Sequence, residues 1–309
     1  MTPPTFTVAT PTFNRADTLP RVYESLRAQR YRDFEWIIVD DGSTDGTGKL
    51  VQSWQHDAPF PIRYYWQENQ HKKVAVNRAV QEAHGEFIAI LDSDDSFLPG
   101  ALEDMLDAWN AIPVADRHQF AGVTALVMDP SGMIVGDRFP SDPFDVDGLT
   151  CQYVVGVKGE KFGMQRVEVM RETPFPEFVS GLVPENHVWD RIAMRYKTRH
   201  INRCVRIYYP TENSLINASP DRLTKTDYDG CLYAACHFLD EIAPVLGARA
   251  SRVIFDTGRQ YWRFRLHMMR QGRAIRWWPR SFTGRTILLI HFPIGLALYG
   301  KDRLARRRG

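Results

Sequence analysis

Cysteine is scarce and shows none of its informative spacings. Cys151, Cys204, Cys231 and Cys236 make no C-x-x-C pair and no metal-finger pattern. That excludes a zinc ribbon, a thioredoxin-type centre and a disulfide-stapled secreted scaffold, and predicts four reduced, mostly buried thiols. Long apolar runs are also missing. The longest, residues 286–299 (TILLIHFPIGLALY), has 14 residues and is interrupted by His291, Pro293 and Gly295. A single helical membrane span needs about 20 residues, so the run predicts no ordinary transmembrane helix. Residues 1–5 lead straight into an apolar strand-like segment and carry no signal-peptide pattern. Strong compositional bias is absent too: 44% hydrophobic and 25% charged residues in a chain of 309 rule out disordered, collagen-like and multi-span membrane classes. The length suits one large α/β domain with an appendage, or two domains.

Net charge is close to zero, at +2 from 39 basic and 37 acidic residues, but it is unevenly spread. Residues 249–309 hold 15 Arg or Lys against Asp256 and Asp302, a local net of +13, and the remainder carries −11. An acidic body with a basic tail places two functional surfaces on one chain.

The first hundred residues alternate between strand-like and helical patterns. Residues 6–10 (FTVAT) form a β-type run ended by Pro11. Asp17 and Thr18 then offer N-caps, Pro20 suits a first turn, and Leu19, Val22, Tyr23 and Leu26 follow helical spacing. Residues 34–39 (FEWIIV) predict a second strand, and a helix starting near Thr44 or Asp45 carries Leu50, Val51 and Trp54. A third strand is expected over 62–66, a helix over 74–83, a fourth strand over 87–91 (FIAIL), and a further helix through Leu102, Met105, Leu106 and Trp109. Strands that are continuously apolar and separated by helices predict a mostly parallel sheet covered on both faces. Such sheets bind ligands at the C-terminal edge of their strands. Polar groups accumulate at those edges: residues 10–15 (TPTFNR), 40–46 (DDGSTDG), 67–73 (QENQHKK) with Asn77 and Arg78, and 92–95 (DSDD). All are expected in one crevice.

Residues 40–46 fit neither of two familiar loops. Read as a calcium loop from Asp41, position twelve is Gln52 where a bidentate Glu is needed. Read as a phosphate-binding loop, the glycine spacing is one residue too long and Leu50 follows Lys49. The remaining readings are an acidic turn that caps the next helix, or carboxylates that accept hydrogen bonds from a nucleobase and a ribose. In residues 92–95, Asp92, Asp94 and Asp95 would repel one another without a cation or well-placed donors. Hard oxygen ligands suit Mg2+ or Mn2+ bound through one or two carboxylates and substrate phosphates. Helix capping by Ser96 or Asp95 is the alternative.

TFNR (12–15), VDDGSTDGT (39–47), QEN (67–69) and the VNRAV…AHGEFIAILDSDD stretch (76–95), at these spacings, resemble family 2 glycosyltransferases with the GT-A fold. The likeness covers about the first 110 residues. GEK (159–161), FPE (175–177), VPE (183–185) and VWDRIA (188–193) are similar to a subgroup of bacterial polysaccharide and lipopolysaccharide transferases. The resemblance implies a Rossmann-like, mostly parallel GT-A sheet with helices on both faces over residues 1–215. Residues 1–110 would form the nucleotide-sugar half and 111–215 the acceptor half, with a helical, basic C-terminal extension over 216–309.

It also implies roles. Thr10, Thr12 and Arg15 fall where the family touches the nucleotide, Asp41 where it reads uracil, and Asp92 where it contacts ribose. Asp94 matches the metal-binding carboxylate of the DxD motif, with Mn2+ or Mg2+ as cofactor. Lys72, Lys73 and Arg78 fall in the segment that approaches base and diphosphate. The chain departs from the common pattern at Asn69-Gln70-His71, where many members have Asn followed by Gly. In-line attack by an acceptor hydroxyl needs a general base, often carried by the family in a Glu-Asp pair. Here that place reads Glu185-Asn186, which makes Glu185 the expected base. Asp190 is the alternative, with helix first-turn complementarity as its structural reading, and Glu177 is a third candidate.

Residues 249–282 interleave nine arginines, Arg249 through Arg280, with Phe255, Tyr261, Trp262, Phe264, Trp277, Trp278 and Phe282. Followed by apolar 287–290 and 294–298, this suits an anionic membrane surface rather than nucleic acid; a solvated helical face or an oligomer contact is the other reading. The expectation is an inverting transferase moving a sugar from a UDP-linked donor to a glycan or lipid-linked acceptor in bacterial surface polysaccharide synthesis. It would be cytoplasmic and peripheral at the inner face of the cell membrane. Alternatives are a nucleotidyl- or phosphoryl-transferring α/β enzyme, or a degenerate sugar-nucleotide-binding protein.

Overall fold

Strand β1 (Phe6–Thr12) is buried along its whole length, as is β2 (Phe34–Asp40), which explains why neither alternates apolar with polar residues. They pair in parallel, with Phe6 opposite Phe34 and Thr12 opposite Asp40. β3 (Ile62–Trp66) joins β2, also in parallel, placing Trp66 against Asp40. β4 (Phe87–Ile90) lies on the other side of β1. The order β3-β2-β1-β4 therefore reverses direction at β1, the kind of switch point at which α/β sheets open a crevice.

The computed structural model describes residues 3–181, 183–210 and 228–306. Helices α1 (Leu19–Arg27), α2 (Thr47–Gln55) and α3 (Lys72–Glu82) make the crossovers. Each starts where a nearby polar group decides. Thr18 precedes α1, but its hydroxyl donates to the Ser93 carbonyl at 2.9 Å and caps nothing. α2 begins at Thr47, later than its sequence predicts, because Asp45 Oδ1 accepts the Thr47 N–H and hydroxyl at 3.0 and 2.6 Å and holds the preceding residues in a turn. α3 begins two residues early, at Lys72. Phe6, Val8, Leu19, Leu26, Trp36, Ile38 and Phe87 anchor the core.

Beyond β4 the sheet becomes mixed. The later strands are β5 (Ser96–Phe97), β6 (Phe120–Met128), β7 (Phe144–Val146), β8 (Lys161–Arg166) and β9 (Lys197–Ile207). β8 lies antiparallel between β4 and β6, whereas β6 and β9 run parallel. β5 and β7 add short antiparallel pairings to β9. α4 (Ala101–Asn110) and α5 (Val167–Glu172) flank these strands in sequence, and α6 (Asn186–Ala193) precedes β9.

The chain divides into two compact units. The first takes in residues 1–152, 156–175 and 191–210; the second takes in 153–155, 176–190 and 211–309. The domain boundary expected near residue 215 lies outside the described residues. The second unit contains α7 (Asp229–His237), α8 (Ala243–Leu246), α9 (Ser251–Arg270) and α10 (Phe282–Arg306). The two short apolar pieces expected after residue 286 are in fact parts of one helix, α10, which runs unbroken through Pro293. It lies alongside α9 in the same direction: Phe255 meets His291, Trp262 meets Phe292, and His267 meets Tyr299. Residues 271–281 double back along α9, where Tyr261 donates to the Trp277 carbonyl at 2.6 Å. Gly258 and Gly295 let the helices approach, since a Cβ on Gly295 would stand 2.3 Å from Trp262 Cβ. Asp302 accepts a two-pronged pair of hydrogen bonds from Arg263, both at 2.6 Å, and lies 2.9 Å from His267 Nε2. All four cysteines are free thiols. Burial pushes Cys151 up to about 11 and Cys236 to about 12, so both are unreactive at neutral pH.

Candidate functional site

The strand ends of the first unit carry a polar crevice. After β2, Asp40 and Asp41 diverge. Asp40 is fully buried and structural: it accepts the Ser43 N–H at 2.7 Å and the Tyr64 hydroxyl at 2.6 Å. Asp41 is held by the loop after β3, its Oδ1 accepting Gln67 Nε2 at 2.8 Å and the Gln70 N–H at 2.9 Å. Asn69 donates to the Asp41 carbonyl at 2.8 Å. The two loops meet at Gly42, whose φ of 92° and 3.1 Å distance from an ideal Cβ to the Asn69 nitrogen leave room for glycine alone.

Arg78 completes this arrangement from α3. Its guanidinium donates to the Trp66 carbonyl at 3.0 Å and to Gln67 Oε1 at 3.4 Å. Gln67 thus stands between Arg78 and Asp41. Asn77, one residue earlier, is buried and exchanges two 2.9 Å hydrogen bonds with the Phe175 backbone, so it braces a segment distant in sequence. Thr10 is buried, its hydroxyl accepting the Trp36 indole N–H at 2.9 Å. Thr12 Oγ1 is buried with no hydrogen-bond partner among the described residues; an orphaned hydroxyl at a strand end fits a polar ligand. His71, directly before α3, has φ 73° and ψ 152°, a conformation that ordinarily belongs to glycine.

The turn after β4 gives its three carboxylates different surroundings. Asp95 is innermost, 1% exposed, accepting the Tyr209 N–H at 3.1 Å and lying 3.3 Å from the Arg206 guanidinium. Burial pushes its carboxyl up to about 6, with Arg206 and the Tyr209 N–H opposing and Asp92 and Asp94 adding to the rise. Asp92 sits 2.6 Å from Lys72 Nζ and 4.0 Å from Arg206. Burial raises its pKa, but Lys72, Arg206 and Arg15 outweigh that and hold it below the usual carboxylate value. Asp94 is partly exposed, as is Asp92, with Arg15 at 3.9 Å. Its backbone is pinned: Arg21 donates to the Asp94 carbonyl at 2.7 Å while stacking 3.7 Å above the Tyr209 ring.

The sequence reading missed Arg206. It reaches the turn from β9, 5% exposed, and also contacts Glu160 at 3.3 Å, while its Nε has no partner among the described residues. Among the described residues no three His, Cys, Asp or Glu side chains gather as an all-protein metal cage. A partly exposed carboxylate such as Asp94, flanked by fixed neighbours, fits instead a hard divalent cation that takes its remaining ligands from phosphates. Lys73 is buried in the first turn of α3.

The expected bases lie in the second unit. Glu185 is exposed directly before α6, its carbonyl accepting the Val188 N–H at 2.9 Å. Asp190 lies well inside that helix, not in its first turn, and is buried. Tyr153 donates to its carboxylate, at 2.9 and 3.1 Å from the two oxygens. Burial pushes Asp190 up to about 7 despite that hydrogen bond. Asp190, Tyr153, Asn186, His237, Gln260 and Phe264 are among the residues lining a cavity of about 250 Å³.

A parallel α/β half whose strand-end crevice combines a braced carboxylate, an aspartate turn and basic side chains defines a doubly wound α/β protein with a polar site at its strand ends. The chain belongs to glycosyl transferase family 2, whose profile matches residues 7–172. It is 37% identical over 109 residues to the GalNAc(5)-diNAcBac-PP-undecaprenol beta-1,3-glucosyltransferase of Campylobacter jejuni, covering 35% of each chain. It is 36% identical over 169 residues to the putative teichuronic acid biosynthesis glycosyltransferase TuaG of Bacillus subtilis, covering 55% of this chain and 63% of that one. The chain thus spans less than two thirds of either relative. Among solved structures, S. aureus TarS 1-349 in complex with UDP superposes with a TM-score of 0.57 at 16% identity, covering 98% of this chain and 91% of that one. The Pyrobaculum calidifontis mannosyltransferase PcManGT, in complex with GDP-Man and Mn2+, gives 0.56 at 21%, covering 98% and 83%. The GT-A fold expected from the motifs is therefore the fold of this chain.

Proposed function

We propose that the chain is an inverting glycosyltransferase that moves a sugar from a UDP-linked donor to a hydroxyl of a glycan or lipid-linked acceptor in bacterial surface polysaccharide synthesis. The observation that carries this reading is the aspartate turn: Asp92 neutralised by Lys72 at 2.6 Å, and Asp94 partly exposed on a backbone held by Arg21.

In this reading Asp41 Oδ2, which takes neither of the hydrogen bonds from Gln67 and Gln70, accepts the uracil N–H. Thr12 and Arg15 contact the nucleotide, and Asp92 accepts from the ribose. Lys73 and Arg78 add positive charge on the base and diphosphate side. Asp94 would hold Mn2+ or Mg2+, which when bound neutralises charge on the departing diphosphate. The acceptor oxygen attacks the anomeric carbon as the bond from that carbon to the diphosphate oxygen breaks, its electron pair leaving with the nucleoside diphosphate. The acceptor proton passes to Glu185. Asp190 is the second reading for the base, favoured by a carboxyl poised near neutral pH. A lipid-linked acceptor would place the enzyme at the cytoplasmic face of the membrane.

A thermal-shift panel of nucleotide sugars with and without Mn2+, followed by product analysis, tests this. A uridine-specific shift that requires Mn2+, with UDP released and sugar transferred, is the expected result. A saturating ligand at about a hundredfold over Kd adds about 2.7 kcal/mol of stability. Nucleotide attached to the acceptor would establish nucleotidyl transfer instead, and no shift with any nucleotide sugar would defeat the donor assignment.

A further inference from the structure

The second unit contains two helical stretches, Asp229–Arg270 and Phe282–Leu304, that are long and apolar enough to cross a membrane by length and composition alone. The packing of α10 decides what its apolar character is for. Gly284, Leu288, Gly295 and Asp302 are its buried positions, spaced four, seven and seven residues apart, which is one helical stripe. That stripe faces α9, as the Trp262–Leu288 hydrogen bond at 2.6 Å and the Arg263–Asp302 pair show. Much of its remaining apolar surface is uncovered: Phe282 is 85% exposed, Leu289 64%, Ile290 65% and Leu304 59%, with Ile294 and Leu296 also exposed.

We propose that α10 lies in the plane of an anionic bilayer, its outward strip of Leu289, Ile290, Ile294 and Leu296 inserted among the lipid chains at headgroup depth. This rests on the membrane-side acceptor proposed above and deepens it by naming the face and the orientation. Two observations support lipid as the occupant. The helix carries exposed Arg285, Lys301 and Arg303, and the segment that leads into it carries exposed Arg273, Arg276 and Arg280. The two acids of residues 249–309 are already paired with arginines of α9, Asp256 with Arg259 at 2.7 Å and Asp302 with Arg263 at 2.6 Å. The surface that α10 offers is therefore apolar with a cationic excess, complementary to acidic headgroups over acyl chains.

The same packing excludes a spanning orientation. Gly295 lies near the middle of the apolar stretch, and a Cβ there would stand 2.9 Å from the Arg259 carbonyl. If α10 crossed the bilayer, α9 beside it would carry Arg259, Asp256, Arg263 and Arg265 to the hydrocarbon midplane, at about 2.5–3.5 kcal/mol for each charged side chain even on the most lenient scale.

Co-sedimentation of the full chain with phosphatidylcholine vesicles, with and without 30% phosphatidylglycerol by design, is the test. The expected result is binding that needs the anionic lipid, weakens in high salt, and is removed by an alkaline carbonate wash. Leu289→Asp with Ile290→Asp should reduce binding at least tenfold while leaving far-UV dichroism and the nucleotide-dependent thermal shift unchanged; Leu296→Asp is the second, milder variant. Wild-type chain that binds no vesicle overturns both the membrane reading and this inference. Wild type that binds while both variants bind equally well, or that resists carbonate, overturns the inference alone. A dimer in sedimentation velocity that the Asp variants dissociate, without vesicle binding, would assign the strip to a second copy of the chain and overturn it as well.

Discussion

Lys72, the first residue of α3, reaches across the crevice and places its Nζ 2.6 Å from Asp92 Oδ1. A helix start and a strand end are thereby tied together at the point where the sheet changes direction. The pair keeps Asp92 ionised below its usual range and separates its role from that of Asp94 two residues on.

Asp94→Ala is expected to leave the unliganded protein's stability within about 0.5 kcal/mol, because its carboxylate contacts only Arg15, at 3.9 Å, among the described ion pairs. Transfer should fall by about 10²–10³ in kcat, and the Mn2+-dependent part of the nucleotide-sugar thermal shift should vanish. A variant that keeps that shift would remove Asp94 from the metal assignment.

Arg206→Met should be destabilising, by about 3–5 kcal/mol, because it strands Asp95 and Glu160 and weakens the field at Asp92. Adding Asp95→Asn should restore much of that loss. Urea denaturation of the single and double variants reads the coupling, and strict additivity would show that the two residues act independently.

Glu185→Gln and Asp190→Asn separate the candidate bases. With Glu185 as base, Glu185→Gln lowers kcat by about 10²–10⁴ with donor affinity unchanged, and Asp190→Asn stays active. The opposite pattern transfers the role to Asp190. Asp190 also predicts a pH effect with a definite sign. Its folded carboxyl is raised to about 7 from 3.8, so the folded state holds the proton more tightly. The stability this contributes is full below the unfolded value and is lost as pH rises to about 7, by up to about 4 kcal/mol. Asp190→Asn should flatten that decline in urea titrations run from pH 4.5 to 8.

His71→Gly should raise stability by about 1 kcal/mol. The φ of 73° costs a β-carbon about 1–3 kcal/mol, partly offset by the greater unfolded-state freedom of glycine. A shift of the urea midpoint measures it, and a lower midpoint would mean that the imidazole makes contacts worth more than the strain.

The parallel half was legible because β1, β2 and β4 are buried on both faces and so read as unbroken apolar runs. The polar segments at their ends followed from the rule that ligands bind there. Three things were hidden. β8 (KFGMQR) has no apolar run, since its burial comes from lying antiparallel between β4 and β6, a long-range pairing that no local pattern encodes. Arg206 looked like one more basic residue in KTRHINRCVRI, and only the pairing of β9 with β5 shows that it points at the aspartate turn. α10 was read as two pieces because Pro293 and Gly295 are helix breakers by propensity. Here the glycine is required by its approach to Trp262, and the packing outweighs the penalty of the proline.

The clamp of Asp302 on Arg263 and His267 has a practical consequence for handling the protein. The apolar end invites truncation by anyone seeking a better-behaved sample, and a stop codon before residue 302 would look harmless. It would remove the carboxylate that neutralises a guanidinium with a 20% exposed side chain and lies 2.9 Å from a buried imidazole nitrogen. The shortened chain would carry an uncompensated cation against the face uncovered by the cut. Solubility is better sought by replacing outward leucines and isoleucines of α10 than by shortening it.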